Sequence, residues 1–260
     1  MNDYSMILDN MKFSYSAVNG FETCALGFKY SYVDIEERMG NAFSDFGSFC
    51  HKILEMYFKN ELDKWELSTY YQDNYDKNIK CSFPTFPRGM AEKYYQEGLA
   101  FFEGLEFDKT KYEILGIEKR LETKIKDLNI VVVPDLFLKD KDTGEFILYD
   151  YKTANLFQDG RINKKKMQDI KKQMNLYVHF IWLIQGIEIT KVKIWAIRNN
   201  KLIEYDYSPT EGAETLSWFL ETVEKIKKEE EWNPNTKEKY FCDNICSSRF
   251  ICPFINGTQH

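Results

Sequence analysis

The feature that most constrains the fold of this chain is a cluster of strand-like segments over residues 112–154. Segments 112–125 and 128–138 are rich in β-branched residues. A turn at 142–144 leads into a third segment, 145–153. These patterns predict an antiparallel meander, so the middle of the chain should form a sheet.

The last of these strands carries charges among apolar residues. Asp150 and Lys152 follow the apolar run 146–149, and alternation along a strand places both side chains on one face. The meander can bring Asp135 beside them from the neighbouring strand. Two carboxylates in apolar surroundings repel each other unless a cation compensates, and their hard oxygen atoms suit Mg²⁺ or Mn²⁺. An exposed salt bridge is the alternative, but the apolar run disfavours it because buried charges need partners.

Helical patterns flank the strands. Ser14 can cap a short helix over 17–24, and apolar residues recur every three or four positions over 43–58. The downstream elements predicted from the same patterns are a helix over 165–185, strands over 189–198 and 201–207, and a helix over 211–231. We therefore expect an α/β fold in which helices flank a mixed sheet.

Residues 60–111 are predicted to form a helical insertion. Its Tyr-rich part is interrupted by Pro84, Pro87 and Gly89, which favours helices around a loop over paired strands. No internal repeat or linker divides the chain, so residues 1–260 are predicted to form a single domain.

Composition limits the functional classes. The chain has 35 Lys and Arg residues against 41 Asp and Glu residues, and the resulting net charge of −6 argues against a wholly basic nucleic-acid coat. A hydrophobic content of 43% excludes disorder for most of the chain. No apolar run approaches the roughly 20 residues that cross a membrane, and the N-terminal stretch does not read as a signal peptide. We expect a cytoplasmic protein without membrane association.

The charged strand and two helices resemble a known family. The Pro-Asp and Asp-x-Lys elements resemble the PD-(D/E)XK nuclease motif. A histidine on the helix over 43–58 and a Gln-x-x-x-Tyr sequence on the helix over 165–185 are similar to features of its RecB-like branch. The residues that carry the resemblance are Pro134, Asp135, Asp150, Tyr151, Lys152, His51, Gln173 and Tyr177.

This resemblance implies a restriction-endonuclease-like fold and a metal-dependent DNase that acts as an exonuclease, similar to CRISPR-associated exonucleases, AddB-type nuclease domains and phage homologues. The implied ligands of Mg²⁺ or Mn²⁺ are His51, Asp135, Asp150 and the backbone carbonyl of Tyr151. Lys152 would assist the attacking water, and Gln173 and Tyr177 would support the site. The substrate would be DNA, as single strands or duplex ends, and protein partners would belong to recombination, repair or CRISPR adaptation.

A group of cysteines near the C-terminus predicts a second metal site. Cys242, Cys246 and Cys252 have C-x3-C-x5-C spacing, and thiolates so close together in a reducing compartment favour zinc or an iron-sulfur cluster over disulfides. The resemblance implies Cys24 as the fourth ligand of a [4Fe-4S] cluster, which would join segment 232–260 to the N-terminal region. In this branch, two residues usually separate the first two cysteines of the C-terminal trio, whereas three residues separate Cys242 from Cys246 here. Zn²⁺ therefore stays the alternative.

A basic run begins the helix predicted over 165–185. Six basic residues stand against one acidic residue, Asp169, between positions 161 and 172. Lysines at a helix N-terminus interact unfavourably with the helix dipole. Their presence there favours a role in binding a nucleic-acid backbone over the alternative of a solvated helix start. The basic residues are Arg161, Lys164, Lys165, Lys166, Lys171 and Lys172.

Two further hypotheses remain at the level of sequence. Glu118, on the first predicted strand, is a lesser candidate for an additional carboxylate at the metal site. The rival function is a DNA end-binding or partner-docking module that has lost turnover and keeps a structural iron-sulfur or zinc site. The intact Asp135, Asp150 and Lys152 disfavour this rival, because a degenerate nuclease tends to lose one of them.

Overall fold

The structure is a computed structural model that describes residues 4–255. Its α-helices are α1 (Ser5–Asn10), α2 (Tyr15–Thr23), α3 (Ala25–Phe28), α4 (Ala42–Phe58), α5 (Leu67–Asn78), α6 (Met90–Gly104), α7 (Lys164–Gln185), α8 (Pro209–Lys228) and α9 (Lys239–Asn244). Its strands are β1 (Lys12–Phe13), β2 (Tyr112–Ile117), β3 (Leu121–Ile125), β4 (Leu128–Val132), β5 (Leu136–Asp140), β6 (Phe146–Lys152), β7 (Phe157–Gln158), β8 (Arg161–Ile162), β9 (Ile189–Ala196) and β10 (Lys201–Asp206).

The largest sheet has five strands in the order β10-β9-β6-β5-β2. Strands β6 and β9 are parallel, with Asp150 opposite Ile194, whereas the other neighbours are antiparallel. A three-stranded sheet has the order β1-β4-β3, and β7 pairs with β8. The expected α/β fold with a mixed sheet and flanking helices is confirmed.

Contacts divide the chain into two compact units. The first comprises Met1–Asn41, Glu122–Val132 and Ala213–His260, and the second comprises Ala42–Leu121 and Val133–Gly212. The five-stranded sheet and helices α4 to α7 belong to the second unit. The assignment of residues 1–260 to one domain stays a prediction, and residues 1–3 and 256–260 of that range lie outside the described residues.

The prediction of one continuous antiparallel meander is wrong in one respect. The segment predicted as one strand over 112–125 is two strands, β2 and β3, which belong to different sheets. Segment 128–138 likewise divides into β4 and β5. Strands β2, β5 and β6 are antiparallel neighbours as expected, whereas β3 and β4 join β1. Alternation of side chains is a local signal, so it identifies strands without specifying their partners.

The two faces of β6 have different neighbours. Tyr149 and Tyr151 belong to a core that includes Phe46 and Ile53 of α4. Each large apolar side chain buried in this way contributes about 1.5–3 kcal/mol to folding. Because side chains alternate along a strand, Asp150 lies on the opposite face, and so does Lys152, which contacts α7. The sheet therefore separates a mainly aromatic core from the face that carries charges.

Helices α5 and α6 form most of the segment predicted as an insertion. Tyr71, Tyr75 and Tyr94 are buried in the core that they share with α4, so these tyrosines contribute to packing. A Cβ atom at Gly98 of α6 would collide with the Tyr71 ring, which explains a glycine at this close helix contact. The predicted helices are present, whereas the assignment of residues 60–111 as an insertion stays a prediction.

Candidate active site

Strand β6 carries a buried ion pair. Asp150 is only 1% exposed, and its Oδ2 atom lies 2.8 Å from Lys152 Nζ. Lys152 Nζ also donates to Asp150 Oδ1 at 3.0 Å. The two residues share a face because they are two positions apart on a strand. The structure therefore brings together the Asp-x-Lys pair that the sequence predicts.

Asp135, the residue that directly precedes β5, lies in the same region. It is 7% exposed, and its Oδ2 accepts a hydrogen bond from the Tyr151 backbone N–H at 2.7 Å. The carbonyl oxygen of Asp135 accepts from the Glu118 N–H at 2.8 Å. Backbone hydrogen bonds thus fix both Asp135 and Glu118 relative to β6.

His51, on α4, faces the strands with both ring nitrogens. Its Nε2 lies 3.0 Å from the carbonyl oxygen of Tyr151. Its Nδ1 lies 3.3 Å from Glu118 Oε1 and 3.6 Å from Asp135 Oδ1. A Cβ atom at Gly47, one helical turn earlier, would lie 3.2 Å from Thr153 Oγ1, so glycine allows α4 to approach the end of β6 closely.

Burial and neighbouring charges shift the pKa values of these residues. Burial raises the pKa of Asp150 to about 6, although the Lys152 ammonium acts in the opposite direction. Burial also raises the pKa of Asp135, against the effect of His51. Burial lowers the pKa of His51, but the charge of Asp135 and the hydrogen bond with Glu118 outweigh it and raise the pKa to about 9. The carboxylates therefore favour a proton or a cation beside them.

Helix α7 supports the lysine of this pair. Gln173 Oε1 accepts a hydrogen bond from Lys152 Nζ at 2.9 Å, and Gln173 Nε2 donates to the Tyr177 hydroxyl at 2.9 Å. Gln173 and Tyr177 lie one helical turn apart, so they can form this chain of hydrogen bonds. Because Nε2 is directed at Tyr177, the carbonyl oxygen of the amide faces the ammonium.

The donor atoms suit a hard divalent cation. Among residues 4–255, the only group of three or more His, Cys, Asp and Glu ligand atoms within 4.8 Å of one another belongs to His51, Glu118 and Asp135. Asp150 is outside this group. Carboxylate oxygens with one imidazole are ligands that Mg²⁺ and Mn²⁺ accept. Sequence patterns make Glu118 only a lesser candidate for a carboxylate at the metal site. The irregular backbone that turns its carboxylate towards His51 leaves no periodic signal in the sequence.

The basic run lies around the start of α7. Lys164 and Lys165 are exposed in its first turn, and Asn163 caps the helix by accepting from the Lys166 N–H at 3.1 Å. Lys166 Nζ donates to the carbonyl oxygen of Asn155 at 2.9 Å, just beyond β6. Lys171 Nζ lies 3.5 Å from Glu211. Arg161 is exposed on β8, and the role of the run in binding stays a prediction.

The cysteines form a separate group in the first unit. Cys24 Sγ accepts hydrogen bonds from the N–H groups of Gly27 and Asn235, both at 3.4 Å. The Cys242 thiol donates to the Asn235 carbonyl oxygen at 3.7 Å. Burial raises the pKa of Cys242, and the pKa is raised further by nearby cysteines, which are Cys246, Cys24 and Cys252. Residues from both ends of the chain therefore come close together.

Cys50 and His179 occupy structural positions. Cys50 is buried in the core beside α5, and burial raises the pKa of its thiol far above the ordinary value. His179 contacts the rings of Phe180 and Trp182, and burial lowers its pKa. Neither residue belongs to the charged group on β6.

A family model and one solved structure relate the chain to known proteins. The model of the PD-(D/E)XK nuclease superfamily matches residues 12–253. The chain therefore belongs to the PD-(D/E)XK nuclease superfamily. A crystallised candidate exonuclease from Eubacterium rectale is 12% identical and superposes with a TM-score of 0.56 over 100% of this chain and 92% of that chain. At this identity, the likeness concerns the fold.

Two other comparisons add little. The crystallised protein SSO0001 is 16% identical over 72% of this chain and 80% of its own, but a TM-score of 0.34 is too low to relate the folds. A search of curated proteins finds no match. Among the described residues, no helix combines the length and the apolar character needed to cross a bilayer.

Proposed function

We propose that the protein is a metal-dependent DNA nuclease of the RecB-like type, acting as an exonuclease. The observation that carries this proposal is the buried Asp150–Lys152 pair beside Asp135 and His51, in a chain of the PD-(D/E)XK nuclease superfamily. Burying the carboxylates of Asp135 and Asp150 near each other is costly for folding, so their presence needs a chemical role.

The residues proposed to hold Mg²⁺ or Mn²⁺ are His51, Asp135, Asp150 and the carbonyl oxygen of Tyr151. When bound, the ion supplies Lewis-acid activation of a phosphate oxygen and of the attacking water. The Tyr151 carbonyl oxygen lies 3.0 Å from His51 Nε2, a separation that two ligands of one ion could have.

Lys152 would direct the hydrolytic water or stabilise negative charge on the phosphate. An ammonium has three N–H donors, and two of them are engaged by Asp150 and Gln173. The third is left for a water or phosphate oxygen. Tyr177 and Gln173 keep the ammonium in place, so that it requires little reorganisation during the reaction.

The basic run at the start of α7 would bind the DNA backbone next to this site. The hydrogen bond between Lys166 and Asn155 supports this arrangement, because it links the run to the segment that follows β6. The substrate would be single-stranded DNA or duplex ends. We further infer a cytoplasmic protein with partners in recombination, repair or CRISPR adaptation.

We propose that the four cysteines hold a structural [4Fe-4S] cluster. The proximity of Cys242 to Cys246, Cys24 and Cys252 supports a metal held jointly by these thiolates, and Zn²⁺ stays the alternative to the cluster. Segment 232–260 would then act as a cluster-binding extension of a single nuclease domain that carries the insertion 60–111.

The proposal is tested with anaerobically purified protein and DNA labelled at the 5′ or the 3′ end. Single-stranded and duplex substrates are incubated with and without MnCl₂. We expect cleavage only with the metal, and the label that is released first reports the polarity. DNA binding without cleavage of either substrate would instead favour the inactive binding module.

A further inference from the structure

Glu118 occupies an irregular position between β2 and β3. It has a φ of 45°, which is uncommon for a residue other than glycine, and its N–H donates to the Asp135 carbonyl oxygen at 2.8 Å. This backbone hydrogen bond holds Glu118 beside Asp135. As a result, its carboxylate points at the imidazole of His51, 3.3 Å away.

The charges around Glu118 are unbalanced. Lys152 forms its ion pair with Asp150. Among the described residues, His51 is the only basic side chain within 4 Å of the carboxylates of Glu118 and Asp135. Two carboxylates thus share one imidazole, and a divalent cation between them would remove their mutual repulsion.

The distances between donor atoms agree with coordination of one ion. His51 Nδ1 lies 3.3 Å from Glu118 Oε1 and 3.6 Å from Asp135 Oδ1. Adjacent ligands of an octahedral ion with bonds of about 2.1 Å are roughly 3 Å apart, so small side-chain shifts would suffice. His51 Nε2 can donate to the Tyr151 carbonyl oxygen at 3.0 Å, which leaves Nδ1 directed at the two carboxylates.

We propose that Glu118 is a direct ligand of the divalent cation, together with His51 and Asp135. This inference rests on the proposed function, because it assigns Glu118 to the same ion. With Nδ1 as the ligand atom, Glu118 takes the place of the Tyr151 carbonyl, which accepts from Nε2 on the opposite side of the imidazole.

The test measures metal binding in addition to activity. Metal-stripped wild-type protein, Glu118→Gln and Glu113→Gln are titrated with MnCl₂ by isothermal calorimetry, and their melting temperatures are measured without metal. Glu113 is a matched control because it lies exposed on β2, the strand that directly precedes Glu118. We expect Glu118→Gln to weaken Mn²⁺ binding by about tenfold or more, whereas Glu113→Gln should bind like the wild type.

The glutamine variant also separates coordination from orientation of His51. Its amide oxygen can still accept from the imidazole, so unchanged Mn²⁺ affinity would overturn the assignment of Glu118 as a ligand. If Glu118→Gln melts early, Glu118→Ala is titrated instead at a temperature below its melting point, and wild-type affinity in that variant would also overturn it. A wild-type protein that neither binds Mn²⁺ nor cleaves DNA would refute the proposed function itself.

Discussion

Single residues on β6 combine burial with charge. Asp150 is almost fully buried, yet Lys152 Nζ lies 2.8 Å from its carboxylate. Replacing one partner of a buried ion pair leaves the other without compensation, so such substitutions affect folding as well as chemistry. Tests of the site therefore need variants of similar shape and a measurement of stability.

We expect Lys152→Met and Asp150→Asn to lower kcat for DNA cleavage at least about 100-fold, because each removes preorganised charge from the transition state. DNA affinity, measured by fluorescence anisotropy, should change little. Lys191→Met is the matched control, since it removes a lysine of the same sheet that pairs with Glu145 at 2.9 Å. Cleavage at the wild-type rate in either site variant, with the fold intact by circular dichroism, would contradict the assignment.

The hydrogen bonds from Lys152 through Gln173 to Tyr177 predict a graded response. Gln173→Leu removes an acceptor of the Lys152 ammonium and should lower kcat by about tenfold or more, with a smaller effect on KM. Tyr177→Phe leaves that acceptor in place and should lower kcat less. Steady-state kinetics of both variants and of the double variant measures their coupling. Equal losses in both single variants would argue against this order.

At the scale of elements, the first turn of α7 is unusual because it carries lysines where the helix dipole disfavours them. Asn163 offsets part of this effect by capping the helix. Lys166 is further held by the Asn155 carbonyl oxygen. The exposed Lys164 and Lys165 can therefore contact a phosphate backbone without disturbing the helix start.

Replacing Lys164, Lys165 and Lys166 by Gln should weaken DNA binding and reduce its dependence on salt. Each lost phosphate contact lowers the slope of log K against log salt by roughly 0.7–0.9. Turnover at saturating DNA should change less. The control replaces Lys225, Lys227 and Lys228 of α8 by Gln, which changes the net charge equally. A salt slope that falls as much in the control would show a general effect of charge.

At the scale of the whole molecule, the first unit joins distant parts of the chain. Asn235 contacts the sulfur atoms of both Cys24 and Cys242, although more than 200 positions separate the two cysteines. Arg249 donates to the Gly40 carbonyl oxygen at 2.7 Å, which adds a second connection between the termini. A metal bound by these cysteines only in the folded state would stabilise that state directly.

We expect replacement of Cys24, Cys242, Cys246 or Cys252 by Ala to bleach the brown colour of anaerobically purified protein. The loss of a few kcal/mol of binding energy should lower Tm by roughly 5–10 °C for a chain of this size. Absorption spectra, iron analysis and thermal melts measure these effects. Cys81→Ala is the control and should keep its colour. A colourless wild type with one zinc ion per chain would refute the iron assignment, and colour in the Cys24 variant would remove that residue from the site.

Much of the fold and of the site could be predicted from the sequence. Apolar periodicity predicts α4 and α7 because each helix buries one stripe of its surface. Alternation along β6 predicts that Asp150 and Lys152 share a face, since that relation depends only on two neighbouring positions. The spacing of four residues between Gln173 and Tyr177 predicts their contact for the same reason.

Only the tertiary structure decided which strands pair and which donors meet. The separation of β3 and β4 from the five-stranded sheet depends on long-range pairing, for which alternation carries no information. The proximity of Glu118 to His51 depends on a positive φ and a hydrogen bond to Asp135, and neither leaves a periodic trace. The sequence by itself thus determined the residues of the charged strand and of its helices, whereas three-dimensional packing decided which carboxylate lies beside the histidine.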